Sequence, residues 1–216
     1  GDTFDYWFEY KKVVPRGFTR FLGKLATLSD RGVEIHFFTG NHDVWLFDYL
    51  PDELGATVHR DPVTRKLGSH TFYLSHGDGL DKKDRGYLLL KAIFRSRFLQ
   101  WCYARLHPNG STAFAQWWSK KSRFSKGMFL EYMGFEEEEQ LQFARAHARQ
   151  HPEIDYYLFG HRHVPYDNRI DDTTRAICLG DWIINFTYAV YDGTSVTLKK
   201  YLEDRGRIIY DAPGSA

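Results

Sequence analysis

Cysteine is scarce in this sequence, with two residues among 216, Cys102 and Cys178, far apart and each among apolar neighbours. That placement suits two reduced core residues better than a disulfide framework. No run approaches the roughly 20 apolar residues that a bilayer span needs, which excludes a membrane-spanning helix. No charged-then-apolar segment opens the chain, so the expected compartment is the cytoplasm. Neither sign of charge dominates: 29 Lys and Arg against 28 Asp and Glu leave a net charge of +1, which points to no polyanionic partner for the chain as a whole. Low-complexity linkers and internal repeats are absent too. What remains, 43% hydrophobic and 26% charged residues, predicts a soluble globular protein with one core, long enough to carry an elaborate insertion. The chain also lacks an initiator methionine, and Gly1-Asp2 reads as the turn after a strand; the expectation is a chain that begins beyond its first strand.

The apolar residues Phe18, Phe21, Leu22, Leu25 and Leu28 recur at helical spacing and stop near Asp30-Arg31-Gly32, predicting an amphipathic helix. A β-rich run at 33–39 then ends in Gly40-Asn41-His42-Asp43. The same ending recurs twice, at 71–75 before His76-Gly77-Asp78 and at 156–159 before Gly160-His161-Arg162-His163. Three predicted strands thus each deliver histidines at their C-terminal ends, the edge where open α/β sheets bind ligands. A further strand is expected at 176–179. Segments 185–191 and 195–201 read as a hairpin turning at Asp192-Gly193, so the sheet is mixed.

Residues 81–150 differ in character and read as a helical insertion. Tyr87, Leu88, Leu90, Ile93, Phe94, Phe98, Trp101 and Cys102 interleave with Lys91, Arg95, Arg97 and Arg105. Phe114, Trp117 and Trp118 follow, with Lys120, Lys121, Arg123 and Lys126, and Asp84 is the one acid between Lys82 and Lys126. Acids return at Glu136, Glu137, Glu138 and Glu139, where the first turn of a last helix would favour carboxylates. The predicted organisation is a core of 1–80 and 151–211, the insertion at 81–150, and a frayed tail at 212–216.

Hard divalent cations take oxygen and imidazole ligands, and two of them close together need a carboxylate to bridge them. Asp2 is placed to be that bridge, Asn41 offers an amide oxygen, and His76, His161 and His163 offer imidazoles. Such a metal pair acidifies water and clamps phosphoryl oxygens, which is the chemistry of phosphoester hydrolysis.

Four ordered blocks, Gly1-Asp2-Thr3-Phe4-Asp5, Gly40-Asn41-His42-Asp43, His76-Gly77-Asp78 and Gly160-His161-Arg162-His163, resemble the motifs of the calcineurin-like metallophosphoesterases over nearly the whole chain. The resemblance implies an α/β/β/α sandwich of mixed sheets and two divalent metal ions, Mn²⁺ by expectation. Asp2 would bridge them, Asn41, His76 and His161 would complete one site, and His163 would serve the other. His42 would hydrogen-bond the phosphoryl or leaving-group oxygen, with Asp5 orienting its ring. The family opens with an Asp-x-His on its first strand, which this sequence does not contain; by expectation the chain binds one metal well and the other poorly, and the fragment is inactive.

Within that family, residues 4–10, the Gly40 and His76 loops and the helical insertion are similar to the lipid-precursor pyrophosphatases. Those enzymes cleave a UDP-sugar bearing two acyl chains to UMP and lipid X in lipid A synthesis. The likeness implies a UDP-linked acylated sugar as substrate, Asp84 and Tyr87 on its glucosamine, Arg123 and Lys126 near its diphosphate, and aromatics lining an acyl groove. An anionic membrane surface is then the expected partner, on the inner membrane and from the cytoplasmic side, and nucleic acid is not. Two other readings stand beside it: a phosphoesterase for nucleotides, phosphoproteins or nucleic acid, and a non-catalytic membrane-surface module. His36, His59, His70, His107, His147 and His151 lack motif context and are expected to be structural or solvated. Asp78 and Asp181 read as turn-forming residues, with orientation of a metal ligand as the alternative.

Overall fold

The computed structural model describes residues 1–80, 85–125, 131–203 and 208–210. The chain forms two compact units, one from Gly1–Asp61 with Lys82–Met128 and one from Pro62–Asp81 with Phe129–Ala216. Together they make an α/β protein with mixed sheets. Among the described residues no helix is long and apolar enough to cross a membrane.

The first unit is built on aromatic packing. Helix α1 (Thr19–Asp30) lays Leu22, Leu25 and Ala26 against Phe4, Trp7, Phe37, Leu50 and Leu54. Phe4 stacks on Trp7 with ring centroids 4.3 Å apart. The strand expected at 33–39 is shorter: β1 (His36–Phe38), followed by α2 (Tyr49–Leu54) and β2 (Thr57–His59). β1 pairs in parallel with β2, from His36 opposite Thr57 to Phe38 opposite His59, and the length of that partner sets the length of the ladder. Buried Glu9 fixes α2: one carboxylate oxygen accepts the Trp7 indole N–H, and the other accepts the backbone N–H groups of Phe47, Asp48 and Tyr49 at the helix start.

From the segment 82–128 this unit takes α3 (Arg85–Arg95), α4 (Arg97–Tyr103) and α5 (Pro108–Ser125), the last opening on a proline suited to a first helical position. They dock by polar anchors. The Trp45 indole donates to Phe94 O at 2.9 Å, Arg95 pairs with Asp61, and the hydroxyls of Tyr6 and Tyr103 meet at 2.9 Å. Tyr10 and Ser111 share a further hydroxyl–hydroxyl bond.

The second unit contains β3 (Val63–Leu67), β4 (His70–Leu74), α6 (Glu139–Ala148), β5 (Tyr156–Phe159), β6 (Tyr166–Arg169), β7 (Arg175–Cys178), β8 (Thr187–Tyr191), β9 (Val196–Lys200) and β10 (Ile209–Tyr210). Six strands form one sheet in the order β10-β6-β7-β5-β4-β3, with β4, β5 and β7 parallel neighbours. Both faces of that centre are covered, which explains its unbroken apolar runs. Along β5, Tyr157 and Phe159 join a core with Leu141, Ala144 and Ala148 of α6, while Tyr156 and Leu158 join a core with Val196 and Leu198 of the β8–β9 hairpin.

Two details differ from the sequence reading. The hairpin ladder closes at Tyr191 opposite Val196, leaving a four-residue connection in which the Asp192 carboxylate accepts the Thr194 and Ser195 N–H groups. Of the four acids at 136–139, only Glu139 enters α6; Glu138 is its N-cap, fully buried, and its pairing with Arg162 offsets the cost of that burial. Both cysteines are free, Cys178 buried and Cys102 half-buried.

Candidate metal centre

Two sets of loops, one in each unit, carry the motif residues. In the first unit the loop after β1 is tied to the N-terminal segment by Asp43, which is fully buried. One of its carboxylate oxygens accepts the N–H of Gly40 at 2.6 Å and of Asp2 at 3.2 Å; the other accepts those of Thr3 at 2.8 Å and Phe4 at 3.4 Å. Charge-assisted bonds of this kind are about twice as strong as neutral ones. Asp43 therefore builds the loop that presents Asn41 and His42. Asp2 answers by accepting the His42 backbone N–H at 2.8 Å. The approach is close enough to require glycine at position 40, since a Cβ there would lie 2.2 Å from Asp2 Oδ1.

His42 and Asp5 meet a third residue that the sequence did not single out. Ser119 of α5, buried, has its hydroxyl 3.0 Å from His42 Nδ1, 3.3 Å from Asp5 Oδ1 and 3.3 Å from the Asp5 carbonyl.

In the second unit His76 follows β4, and His161 and His163 follow β5. The adjacent parallel strands bring the two loops side by side: the Gly160 N–H donates to His76 O at 3.0 Å, and the His76 and His161 rings lie edge to face with centroids 5.1 Å apart. Gln140 of α6, buried among apolar neighbours, joins these loops. Its amide N–H₂ donates to Gly160 O at 2.9 Å and Gly77 O at 3.4 Å, and its carbonyl accepts the Tyr166 hydroxyl at 2.7 Å. Gly77 has φ +90°, and a Cβ there would lie 2.4 Å from the Gln140 amide. Arg162, between the two histidines, forms a two-pronged pair with buried Glu138, each bond 2.9 Å, and that hydrogen bond raises its pKa further.

Asp181 shows the turn-forming role: its carboxylate accepts the N–H groups of Ile183, Ile184 and Asn185 and the Asn185 side-chain amide. It also stands 4.0 Å from His163 Nδ1, and Asn185 donates to His163 O at 2.9 Å, so the same residue braces the histidine loop.

Among the described residues, four other than glycine have positive φ: Asp2 (55°), His161 (62°), His163 (57°) and Phe186 (51°). Left-handed backbone is costly for residues with a Cβ and gathers at functional sites. Three of the four are candidate metal ligands. Carboxylate, amide oxygen and imidazole, the donor types these candidates carry, are those that divalent cations of the Mn²⁺ or Mg²⁺ kind take without thiolate help. Cys178 is no ligand: burial pushes its thiol up to about 12, and its Sγ lies 3.4 Å from Gly160 O as a donor.

Of the residues expected at the substrate, Tyr87 lies half-buried on α3, and Arg123 lies on α5 at a position whose side chain is not described. Asp84 and Lys126 fall outside the described residues. The motif-free histidines have structural contacts where these are defined: His36 with Glu34 and His59, His70 with Tyr191, and His147 with Tyr157. Asp43, Ser119, Glu138 and Gln140 went unassigned in the sequence. Asp43 carried the clearest signal, an acid three residues after a glycine in a loop that follows a strand.

No family model matches the chain. Among curated proteins it is 48% identical over 216 residues to the UDP-2,3-diacylglucosamine hydrolase of Porphyromonas gingivalis, covering 94% of this chain and 82% of that protein. The chain belongs to the UDP-2,3-diacylglucosamine hydrolase family. More distant hydrolases of that name, from Aeromonas salmonicida (30% identical over 188 residues, 84% of this chain and 71% of that protein) and Pseudomonas putida (27% over 187 residues, 84% and 75%), extend the same likeness. Membership in this hydrolase family selects the phosphoesterase reading of the loops over a binding module with vestigial histidines.

Proposed function

We propose that the protein hydrolyses the pyrophosphate of UDP-2,3-diacylglucosamine, releasing UMP and lipid X, a step of lipid A synthesis. The observation that carries this reading is the 48% identity over 94% of the chain to a hydrolase of that name. The left-handed backbone at Asp2, His161 and His163 supports it independently, because strain of that kind suits residues whose side-chain direction matters more than their comfort.

In this proposal Asp2, Asn41, His76, His161 and His163 hold two divalent cations, with Asp2 the shared ligand and Mn²⁺ the metal. Such a pair supplies Lewis acidity, lowering the pKa of water and countering negative charge on the phosphoryl oxygens. His42 hydrogen-bonds the phosphoryl or leaving-group oxygen and assists charge or proton transfer at the α-phosphorus, with Asp5 supporting its ring. Asp84 and Tyr87 contact the glucosamine, and Arg123 and Lys126 meet the diphosphate.

Residues 81–150 serve as the lid for the acyl chains over a core of 1–80 and 151–211 arranged as an α/β/β/α sandwich, with 212–216, outside the described residues, as a tail. Support for a lipid-facing lid comes from its solvent-exposed aromatics: Phe98, Trp101, Phe114, Trp117 and Trp118 are each more than half exposed. Two carry a cation over the ring, Arg105 on Trp101 at 4.4 Å and Lys121 on Trp117 at 5.1 Å. Aromatic rings flanked by Arg and Lys suit acyl chains below an anionic headgroup plane, and we place the protein on the cytoplasmic side of the inner membrane, peripherally bound.

In this and the kinetic experiments below the chain is extended ahead of Gly1 by an Asp-x-His strand of its family; incubated with Mn²⁺ and UDP-2,3-diacylglucosamine, that protein is expected to release UMP, with far slower release from the acyl-free UDP-sugar. Equal rates on both substrates would remove the lipid from this reading, and no release from either would remove the reaction.

A further inference from the structure

A serine hydroxyl has one proton and can accept as well as donate. Around Ser119 Oγ stand three partners: the Asp5 carboxylate, the Asp5 carbonyl and His42 Nδ1. Both Asp5 atoms can only accept, and a bond to the carboxylate is the stronger choice for the single hydroxyl proton. Oγ then turns a lone pair toward His42 and has to be met by an N–H. We infer that Ser119 is a positioning residue that fixes His42 in the Nδ1–H form, leaving Nε2 as the nitrogen that serves the substrate oxygen.

The hydroxyl is delivered by α5, so the orientation of His42 depends on a helix from the 82–128 segment. That helix is held at its start by the Ser111 bonds to Tyr10 and Tyr103, and Tyr103 in turn meets Tyr6. The first turns of α5 therefore lock to the N-terminal segment, and a later turn of the same helix, two turns on, reaches His42. Undocking α5 would remove the partner of Nδ1 and release the ring.

The kinetic consequence rests on the reaction proposed above; the tautomer does not. Ser119→Ala is compatible with a helix, since alanine is the best helix former. With UDP-2,3-diacylglucosamine and Mn²⁺, Ser119→Ala is expected to lower kcat by ~10-fold or more, the usual scale for losing a residue that orients a working histidine, with KM unchanged. Ser119→Thr, which keeps the hydroxyl, is expected to recover most of that loss. In the metal-free protein, ¹⁵N NMR of His42 should show the neutral ring as Nδ1–H, shifting toward Nε2–H in Ser119→Ala. An Nε2–H ring in the wild type, an unchanged kcat in Ser119→Ala, or a threonine variant no better than alanine would each overturn the inference. If the wild-type protein releases no UMP, the proposed reaction fails while the NMR result still decides the role of Ser119.

Discussion

At the scale of single residues, the two loop sets are held by groups that never need to touch a substrate. Gly40 is the sharpest case, because a methyl group at that position would collide with the Asp2 carboxylate at 2.2 Å and with its backbone nitrogen at 2.6 Å. Gly40→Ala is expected to leave the fold in place while displacing Asp2, so the variant should retain less metal than the wild type after gel filtration in Mn²⁺, as elemental analysis would measure. Wild-type retention would mean that Asp2 is not a ligand. His161→Ala and Arg123→Ala separate the two jobs assigned to the site. The first is expected to abolish turnover by removing a metal ligand, and the second to raise KM with a smaller change in kcat. Steady-state kinetics that show the same loss in both would contradict that division.

At the scale of elements, the sequence was most legible where a strand ran into a polar loop. β5 (Tyr156–Phe159) has the bounds expected, and the strands before His42 and His76 lie within the expected runs or overlap them, because an apolar β-rich run followed by Gly and His reads locally. Gln140, Glu138 and Ser119 were not legible. Each is an ordinary polar residue in or beside a helix, and its role comes from pairing with loops 20 to 77 positions away. The helices of 81–150 were expected as helices, but nothing local says that α5 lends a hydroxyl to His42.

α6 carries a pH response of its own. His147 on that helix accepts or donates a 2.9 Å bond with Tyr157 and stacks on His151, and burial, with the neighbouring His151, lowers its pKa below the ordinary 6.5. A lowered histidine pKa means that the unfolded chain takes up the proton first. Stability is therefore constant above about pH 6.5 and falls as pH drops through the window between the unfolded and folded values. His147→Gln is expected to flatten that acid slope in urea melts between pH 7 and 5, and an unchanged slope would assign it to other groups.

At the scale of the whole molecule, a nearly neutral total charge conceals an uneven surface. Among the described residues the two exposed Trp rings that carry a cation, Trp101 and Trp117, belong to α4 and α5, while the histidine loops follow the strands. In the proposed function the histidine loops supply the metal-binding chemistry and the exposed aromatics the lipid-facing surface, the combination that a water-dependent reaction on an acylated substrate requires. The proposed reaction turns on where water attacks. Hydrolysis of UDP-2,3-diacylglucosamine in H₂¹⁸O, read by mass spectrometry of both products, is predicted to place one ¹⁸O in the phosphate of UMP and none in lipid X. Label in the acylated sugar phosphate, or no UMP at all, would contradict attack at the α-phosphorus and the site built around it.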